Sequence, residues 1–282
     1  MSTRIVQSKQ NVRIRQLRRA LAHPGRAVQN SAGQGLAGIE GPHLIEEALR
    51  AGIHIPCVFV AQDSQRLLDS IHLPAATEIL FVPPELLTST LATETPQPIA
   101  ALVEPPDWTL AHLLGTQKLA PLIVVLAGLQ DPGNLGTILR SAEAFGADGI
   151  LSLPGTVSAW NPKAVRASAG SLFRLPILST TQEHSISSLR QAGIKIWTTT
   201  IHQGQPADLV DLSGPVALLI GNEGNGVPPA LAAKADGVLT IPCPGPVESL
   251  NAGVAAGILL YEASRQRLTR SGGPLNHLGA HR

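Results

Sequence analysis

From Pro121 onward, apolar runs of strand length alternate with stretches of helical period, and few architectures satisfy that alternation. Leu122 to Leu126, Gly149 to Leu153, Ile194 to Thr198, Val216 to Ile220 and Val238 to Ile241 read as strands. Between them the pattern predicts helices around Leu135 to Phe145, Pro162 to Ala169, Ser185 to Gln191 and Pro229 to Ala235, and a last helix from about Asn251 to Leu268. Strands separated by helices must cross over rather than turn back, so they form a parallel sheet covered on both faces. Such strands are buried on both sides and read as unbroken apolar runs, as Leu122 to Leu126 and Val216 to Ile220 do. Aromatic residues make up only 3% of the chain, so its core is expected to be built of Leu, Ile, Val and Ala.

The first hundred residues read as a separate, smaller α/β unit. Val12, Ile14, Leu17 and Leu21 recur near helical spacing with arginines on the other faces, and His23-Pro24-Gly25 ends that helix. Leu36 to Gly41 reads as a short strand and turn, and Pro42 to Ala51 as a helix. Cys57 to Val60, Ile79 to Val82 and Ile99 to Val103 read as strands, with Pro84 to Leu91 a short helix. Glu104-Pro-Pro-Asp107 breaks the pattern. The expected organisation is a domain over 1–104, a linker over 105–120, a second domain over 121–270 and a tail over 271–282.

Hydrophobic residues are 44% of the chain and charged residues 15%, which excludes wholesale disorder. Net charge is +1, but no acidic residue precedes Glu40, while Arg4, Lys9, Arg13, Arg15, Arg18, Arg19 and Arg26 do. Arg265, Arg267, Arg270 and Arg282 follow the last acid, Glu262. Cationic ends on a near-neutral chain suit local contact with RNA, or are simply solvated. Cys57 and Cys243 make neither a disulfide framework nor a zinc motif, so no metal is expected. No apolar run reaches the roughly 18 residues of a membrane span, and a cytoplasmic protein is expected.

Three turns at strand ends carry the chemistry. Asp131-Pro-Gly-Asn134-Leu-Gly-Thr-Ile-Leu-Arg140 opens a helix, where Asn134 is placed to cap and Arg140 projects from the apolar face. Gly221-Asn-Glu-Gly-Asn-Gly226 sets a carboxylate, Glu223, among glycines whose backbone can approach a ligand. It is neither a dinucleotide fingerprint nor a phosphate-binding loop with its lysine. Ile241-Pro-Cys-Pro-Gly-Pro-Val-Glu-Ser249-Leu250-Asn251 leads into the last helix, with Ser249 a plausible cap and free amides beyond it able to bind an anionic ligand. Ligands of open α/β sheets sit beyond the carboxyl ends of the strands, so three polar turns there suggest one pocket.

These three segments, in this order, resemble the motifs of the SpoU/TrmH family of RNA ribose 2′-O-methyltransferases, within the knotted SPOUT class. Glu40-Gly-Pro-His-Leu-Ile-Glu-Glu-Ala-Leu49 resembles the substrate-binding domain of that family's ribosomal-RNA branch, which has a ribosomal-protein-like RNA-binding fold. The resemblance implies a C-terminal trefoil-knotted parallel-sheet domain, which spacing alone does not reveal. It further implies a homodimer formed by the C-terminal domains and S-adenosylmethionine as cofactor, held by backbone at Thr199, Gly221, Ile241 and Leu250. Thr198, Thr199 and Thr200 are adjacent, so that first register stays open. The catalytic set it implies is Arg140, oriented by Asn134, Glu223, Ser249 and Asn251. Arg166 and Ser168 match a family-like Arg-x-Ser-x-Gly and join Arg15, Arg18 and Arg19 as RNA candidates.

Guanidinium groups stay protonated in proteins, so an arginine in such a site acts more easily as a cation on phosphate or a developing alkoxide than as a base. The expected function is methylation of a ribose 2′-hydroxyl in RNA, ribosomal RNA favoured over tRNA. The rivals are a noncatalytic RNA-binding protein with the same fold and a small-molecule enzyme on a dinucleotide-type fold. Valine, isoleucine and tyrosine at positions 254, 258 and 261 of the last helix fit either a dimer face or a buried core helix.

Overall fold

The computed structural model describes residues 2–24, 28–29, 35–91, 93–115, 120–201, 203–246 and 249–270. The proposed tail over 271–282, Arg26 and Arg282 lie outside them, as do Val247 and Glu248 of the third turn. The chain forms two compact units. One comprises the chain up to Asp107 together with Ser158–Arg174, and the other comprises Trp108–Val157 and the chain from Leu175. The segment Ser158–Arg174, which the alternating pattern puts in the second domain, thus groups with the first.

The first unit is a six-stranded mixed sheet with helices packed against it. Its elements are β1 (Ser2–Ile5), α1 (Val12–Ala22), β2 (Val28–Gln29), β3 (Gly35–Glu40), α2 (Pro42–Arg50), β4 (Cys57–Ala61), β5 (Glu78–Val82), α3 (Pro84–Thr88) and β6 (Ile99–Val103). The sheet order is β1-β5-β4-β6-β3-β2, with β1, β5 and β4 mutually parallel and β6, β3 and β2 joined antiparallel. Sequence pattern missed β1 and β2, which are short, lie at the two edges and carry little apolar signal. Asn11 caps α1 through its side chain, which accepts from the Arg13 N–H at 2.9 Å. Ile14, Leu17 and Leu21 are buried among Phe59, Leu80 and Leu102, each stabilising by roughly 1.5–3 kcal/mol. Val12, expected on that face, lies at the helix start and is exposed.

The second unit begins with α4 (Leu110–Leu114), β7 (Leu122–Leu126), α5 (Pro132–Ala144) and β8 (Gly149–Ser152). After α6 (Pro162–Ser168), which belongs to the first unit, come β9 (Ile177–Ser179), α7 (Gln182–Gln191), β10 (Lys195–Thr199), β11 (Gln205–Pro206), β12 (Val216–Ile220), α8 (Pro229–Ala232), β13 (Gly237–Thr240) and α9 (Ala252–Arg270). Every strand pair is parallel, in the order β11-β13-β10-β12-β7-β8-β9. On one face Leu113, Ile186, Leu189 and Leu231 pack on Ile123, Val125, Ile196 and Leu219. On the other α9 lies along α5 and β12.

Two details position the site. The strand order reverses at β7, with β8 on one side and β12 on the other, so the crevice beyond the ends of β7 and β12 is the sheet's topological switch point. In addition, α9 approaches α5 closely because it presents glycine there. A Cβ on Gly253 would lie 3.2 Å from Thr137 Cγ2, and one on Gly257 3.5 Å from Ser141 Oγ. One turn further on, Tyr261 meets Phe145 edge-to-face at 5.7 Å. At the far end of α9, Arg267 donates to the carbonyls of Leu212, Ala120, Pro121 and Gly214 and fastens the helix to the entry of β7.

Candidate active site

Helix α5 starts earlier than its apolar pattern suggests. Pro132 occupies its first position, where a missing N–H costs nothing. Asp131, not Asn134, is the cap, its Oδ1 accepting from the Gly133 N–H at 2.7 Å. Asn134 therefore sits within the first turn, buried, with its side chain free for a tertiary role. The last helix carries a parallel correction. Ser249 does not cap it; Asn251 does, its Oδ1 accepting from the N–H groups of Gly253 at 2.9 Å and Val254 at 3.2 Å. The amides expected to be free for an anionic ligand are thus already engaged. Ser249 is exposed and makes no hydrogen bond among the described residues.

These caps fix a directional chain of hydrogen bonds. Because the oxygen of Asn251 faces two N–H groups, its Nδ2 must point away, and it donates to Asn134 Oδ1 at 2.9 Å. That leaves Asn134 Nδ2 to donate to Glu223 Oε1 at 3.0 Å. Glu223 also accepts from the backbone N–H of Asp131 at 2.9 Å and of Gln130 at 3.1 Å. Its carboxylate thus faces the start of α5, where an anion is electrostatically favoured. Partial burial raises the carboxyl's proton affinity, but the bonds from Asn134, Asp131 and Gln130 outweigh it and hold the group below its ordinary value. A carboxylate so held is a poor proton acceptor and a good anchor.

The glycine turn is tightly closed. Asn222 and Gly226 exchange two backbone hydrogen bonds at 2.9 Å. A Cβ on Gly221 would lie 2.1 Å from the Gly226 carbonyl carbon, so no other residue fits there. Asn222, which sequence reading passed over, donates its Nδ2 to the Gly128 carbonyl at 2.9 Å. Asparagine beside glycine is a turn signal that could have marked it. Thr199 at the end of β10 directs its hydroxyl to the Leu219 carbonyl at 3.1 Å, leaving only its backbone for a ligand. Ile241 and Leu250 are half-buried. The strands β13, β10, β12 and β7 are consecutive neighbours, so these turns line one edge of the sheet.

Arg140 stands apart from the network. It is exposed and makes no ion pair or hydrogen bond among the described residues, and it lies six positions beyond Asn134, about 9 Å along the axis. Asn134, Glu223 and Asn251, expected to orient it, bond to one another instead. On α9 the buried residues are Gly253, Ala256, Leu259, Leu260 and Ala263. Val254, Ile258 and Tyr261 are 49%, 39% and 53% exposed, so the core-helix alternative for those three positions does not hold.

In the first unit, Arg15 and Arg19 are exposed, Arg18 is half-buried, and none of the three has an ion pair among the described residues. Arg4 and Arg13 are instead paired with Glu78 at 2.7 and 3.0 Å. Arg166 is about half exposed, 3.9 Å from Glu40. Ser168 is fully buried and donates to the Val165 carbonyl at 2.8 Å, so its hydroxyl holds the end of α6 and does not face solvent. Among the described residues no cluster of His, Cys, Asp and Glu is arranged to hold a metal ion, and no helix is long and apolar enough to cross a membrane.

Comparison with known proteins bears directly on these turns. The sequence model of the SpoU rRNA Methylase family matches residues 121–261, and that of the MRM3-like substrate binding domain matches residues 11–101. The chain is 35% identical over 223 residues to the 23S rRNA (guanosine(2553)-2′-O)-methyltransferase RlmP of Bacillus subtilis, covering 79% of this chain and 86% of that protein. The SpoU methyltransferase AviRb of Streptomyces viridochromogenes, solved in complex with the cofactor AdoMet, superimposes with a TM-score of 0.76 at 30% identity, over 94% of this chain and 100% of that one. An AdoMet-bound rRNA methyltransferase from Sinorhizobium meliloti gives a TM-score of 0.78 at 29% identity, over 93% and 98%.

Proposed function

Because this chain belongs to the SpoU rRNA methylase family, we propose that it transfers a methyl group from S-adenosylmethionine to a ribose 2′-hydroxyl of RNA, with ribosomal RNA the substrate class. The observation that carries the reading is the hydrogen-bonded chain Asn251–Asn134–Glu223. It ties all three strand-end turns together at the sheet's switch point.

S-adenosylmethionine fits this place by the chemistry of what lines it. The backbone near Thr199, Gly221, Ile241 and Leu250 offers polar groups for adenosine and carboxylate. The closed glycine turn supplies a wall with no side chain in the way. When bound, the cofactor supplies an electrophilic methyl group. The protein's own residues do the rest. Arg140, exposed and without an ion pair or hydrogen bond among the described residues, holds the phosphate beside the target ribose and stabilises negative charge as the 2′-oxygen gives its proton to solvent water. Ser249, with its hydroxyl uncommitted among the described residues, orients the sugar. Asn134, Glu223 and Asn251 keep the turns in register, so that positioning supplies much of the acceleration. The first unit engages RNA through Arg15, Arg18, Arg19 and Arg166.

The reading extends to a homodimer through the second unit. Val254, Ile258 and Tyr261 form an exposed apolar stripe on α9 beside α5, which a second copy would cover. It also extends to action in the cytoplasm, on ribosomal RNA.

The deciding experiment maps 2′-O-methylated riboses in ribosomal RNA and tRNA from cells with and without the protein. It is paired with methyl transfer in vitro from labelled S-adenosylmethionine. Loss of one ribosomal-RNA methylation, restored by the purified protein, is the expected result. Restoration only on tRNA overturns the substrate class. Failure to bind the cofactor overturns the enzymatic reading in favour of a noncatalytic RNA-binding protein.

A further inference from the structure

The turn from Gly128 to Asp131 sets the spacing between the start of α5 and the glycine turn, because its N–H groups at Gln130 and Asp131 hold Glu223. Besides those two bonds and a backbone bond from the Val157 N–H to the Leu129 carbonyl at 2.8 Å, the turn is held at its first residue, Gly128. Gly128 is in the left-handed region, at φ +75°, and both of its peptide groups are gripped by side chains. Its N–H donates to Thr156 Oγ1 at 3.1 Å, and the same hydroxyl donates onward to the Leu126 carbonyl at 3.1 Å. Its carbonyl accepts from Asn222 Nδ2 at 2.9 Å. Asn222 cannot turn its amide round, since its Oδ1 already accepts from the N–H groups of Gly224 at 2.9 Å and Asn225 at 3.1 Å. Gly128 is therefore clamped between two side chains, one from beyond β8 and one from beyond β12.

We infer that Thr156 and Asn222 are positioning residues for the reaction, acting through Gly128 on the cofactor crevice without touching substrate. The inference rests on the functional reading above and adds a division of labour to it. A rigid, pre-set turn lowers the ordering cost of binding a ligand at the crevice. Releasing the clamp leaves the reacting groups unaltered but reduces the fraction of molecules whose crevice is ready, and apparent affinity falls in proportion to that fraction. The clamp thus governs KM for S-adenosylmethionine more than kcat.

The test compares the full-length protein with Thr156→Ser, Thr156→Val and Asn222→Asp. Serine keeps the hydroxyl; valine keeps the shape and loses it. Aspartate keeps both acceptors for Gly224 and Asn225 and loses the donor to Gly128. Cofactor binding is measured by calorimetry with S-adenosylmethionine, and KM and kcat by methyl transfer at saturating RNA. Thr156→Ser is expected within about twofold of wild type. Thr156→Val and Asn222→Asp should each raise KM and the dissociation constant about tenfold, with kcat within about threefold. Asn222→Asp places its new carboxylate by Glu223, whose Oε2 is 3.5 Å from Asn222 Nδ2. Its KM should therefore fall again as pH is lowered and the two groups share a proton. A merely structural role predicts lower melting temperatures with KM unchanged, or equal damage from serine and valine, and either outcome overturns the inference. Should Thr156→Val fail to fold, Asn222→Asp decides alone. A wild-type protein that binds no S-adenosylmethionine overturns the functional reading as well, whereas normal wild-type binding with unchanged variants overturns only the clamp.

Discussion

Replacing Asn134 by aspartate turns the donor at the middle link of the hydrogen-bonded chain into a second acceptor, and the consequences can be worked out from two distances. The new carboxylate still accepts from Asn251, where Asn134 Oδ1 now does at 2.9 Å. On its other side an oxygen replaces Nδ2, 3.0 Å from Glu223 Oε1. The first loss is a hydrogen bond to a charged acceptor, worth about 1.5–3 kcal/mol. The second is repulsion between two carboxylates, about 4 kcal/mol at 4 Å for an effective dielectric near 20. Glu223 is exposed, so solvent and salt cut that to about 1–2 kcal/mol. Asn134→Ala loses that hydrogen bond and also the one Asn134 accepts from Asn251, but suffers no repulsion. The Asn251 bond does not titrate, so the change with pH in the difference between the two variants isolates the repulsion. The new carboxyl has its proton affinity raised in the folded state by its neighbour. The folded protein then binds the extra proton more readily than the unfolded chain, so the repulsive penalty is full at neutral pH. It fades as pH falls toward the ordinary carboxylate range of about 4. In the wild type the sign is opposite. Glu223 is held below its ordinary value, and its contribution is present above that value and lost as pH falls through the folded one. Urea unfolding at pH 8 and pH 5 supplies the comparison. Relative to Asn134→Ala, Asn134→Asp should gain up to about 1–2 kcal/mol of stability on going from pH 8 to pH 5. A difference that does not change with pH, or that moves against aspartate in acid, would refute the directional chain from Asn251 to Glu223.

Three further outcomes are expected. Arg140→Ala should lower methyl transfer by at least about a hundredfold, yet leave the melting temperature and calorimetric cofactor affinity near wild type, since the side chain is exposed and unpaired among the described residues; a near-normal single-turnover rate would remove it from catalysis. Reversing Arg15, Arg18 and Arg19 to glutamate should weaken RNA binding and flatten its log–log salt dependence by about 2 to 3 units, at roughly 0.7–0.9 per phosphate contact; unchanged filter binding across a salt series would return these arginines to plain solvation. Ile258→Asp, on the exposed stripe of α9, should shift the mass seen by light scattering to 29.5 kDa; a wild-type protein already at that mass with full activity would show that no dimer is needed.

The sequence by itself determined what short-range order can encode. The strands β7 and β12 were legible because unbroken apolar runs carry their own signal, and the parallel sheet followed from the helices between them. The edge strands β1, β9 and β11 were not legible, because two to four residues hold too little pattern and their pairing is with distant chain. Resemblance brought Asn134, Glu223 and Asn251 together as names without the bonds among them, and local pattern chose the wrong caps. Asn134 and Ser249 are as good capping residues as Asp131 and Asn251 when read alone. Which one caps depends on where each helix begins, and α9 lies with Gly253 and Gly257 against Thr137 and Ser141 of α5, a packing between distant parts of the chain. The direction of the Asn251–Asn134–Glu223 chain, the clamp on Gly128 and the placement of Ser158–Arg174 with the first unit were decided only by the tertiary structure. A hydrogen bond between remote side chains has no periodicity to betray it, and an amide's orientation is fixed by what already occupies its other end.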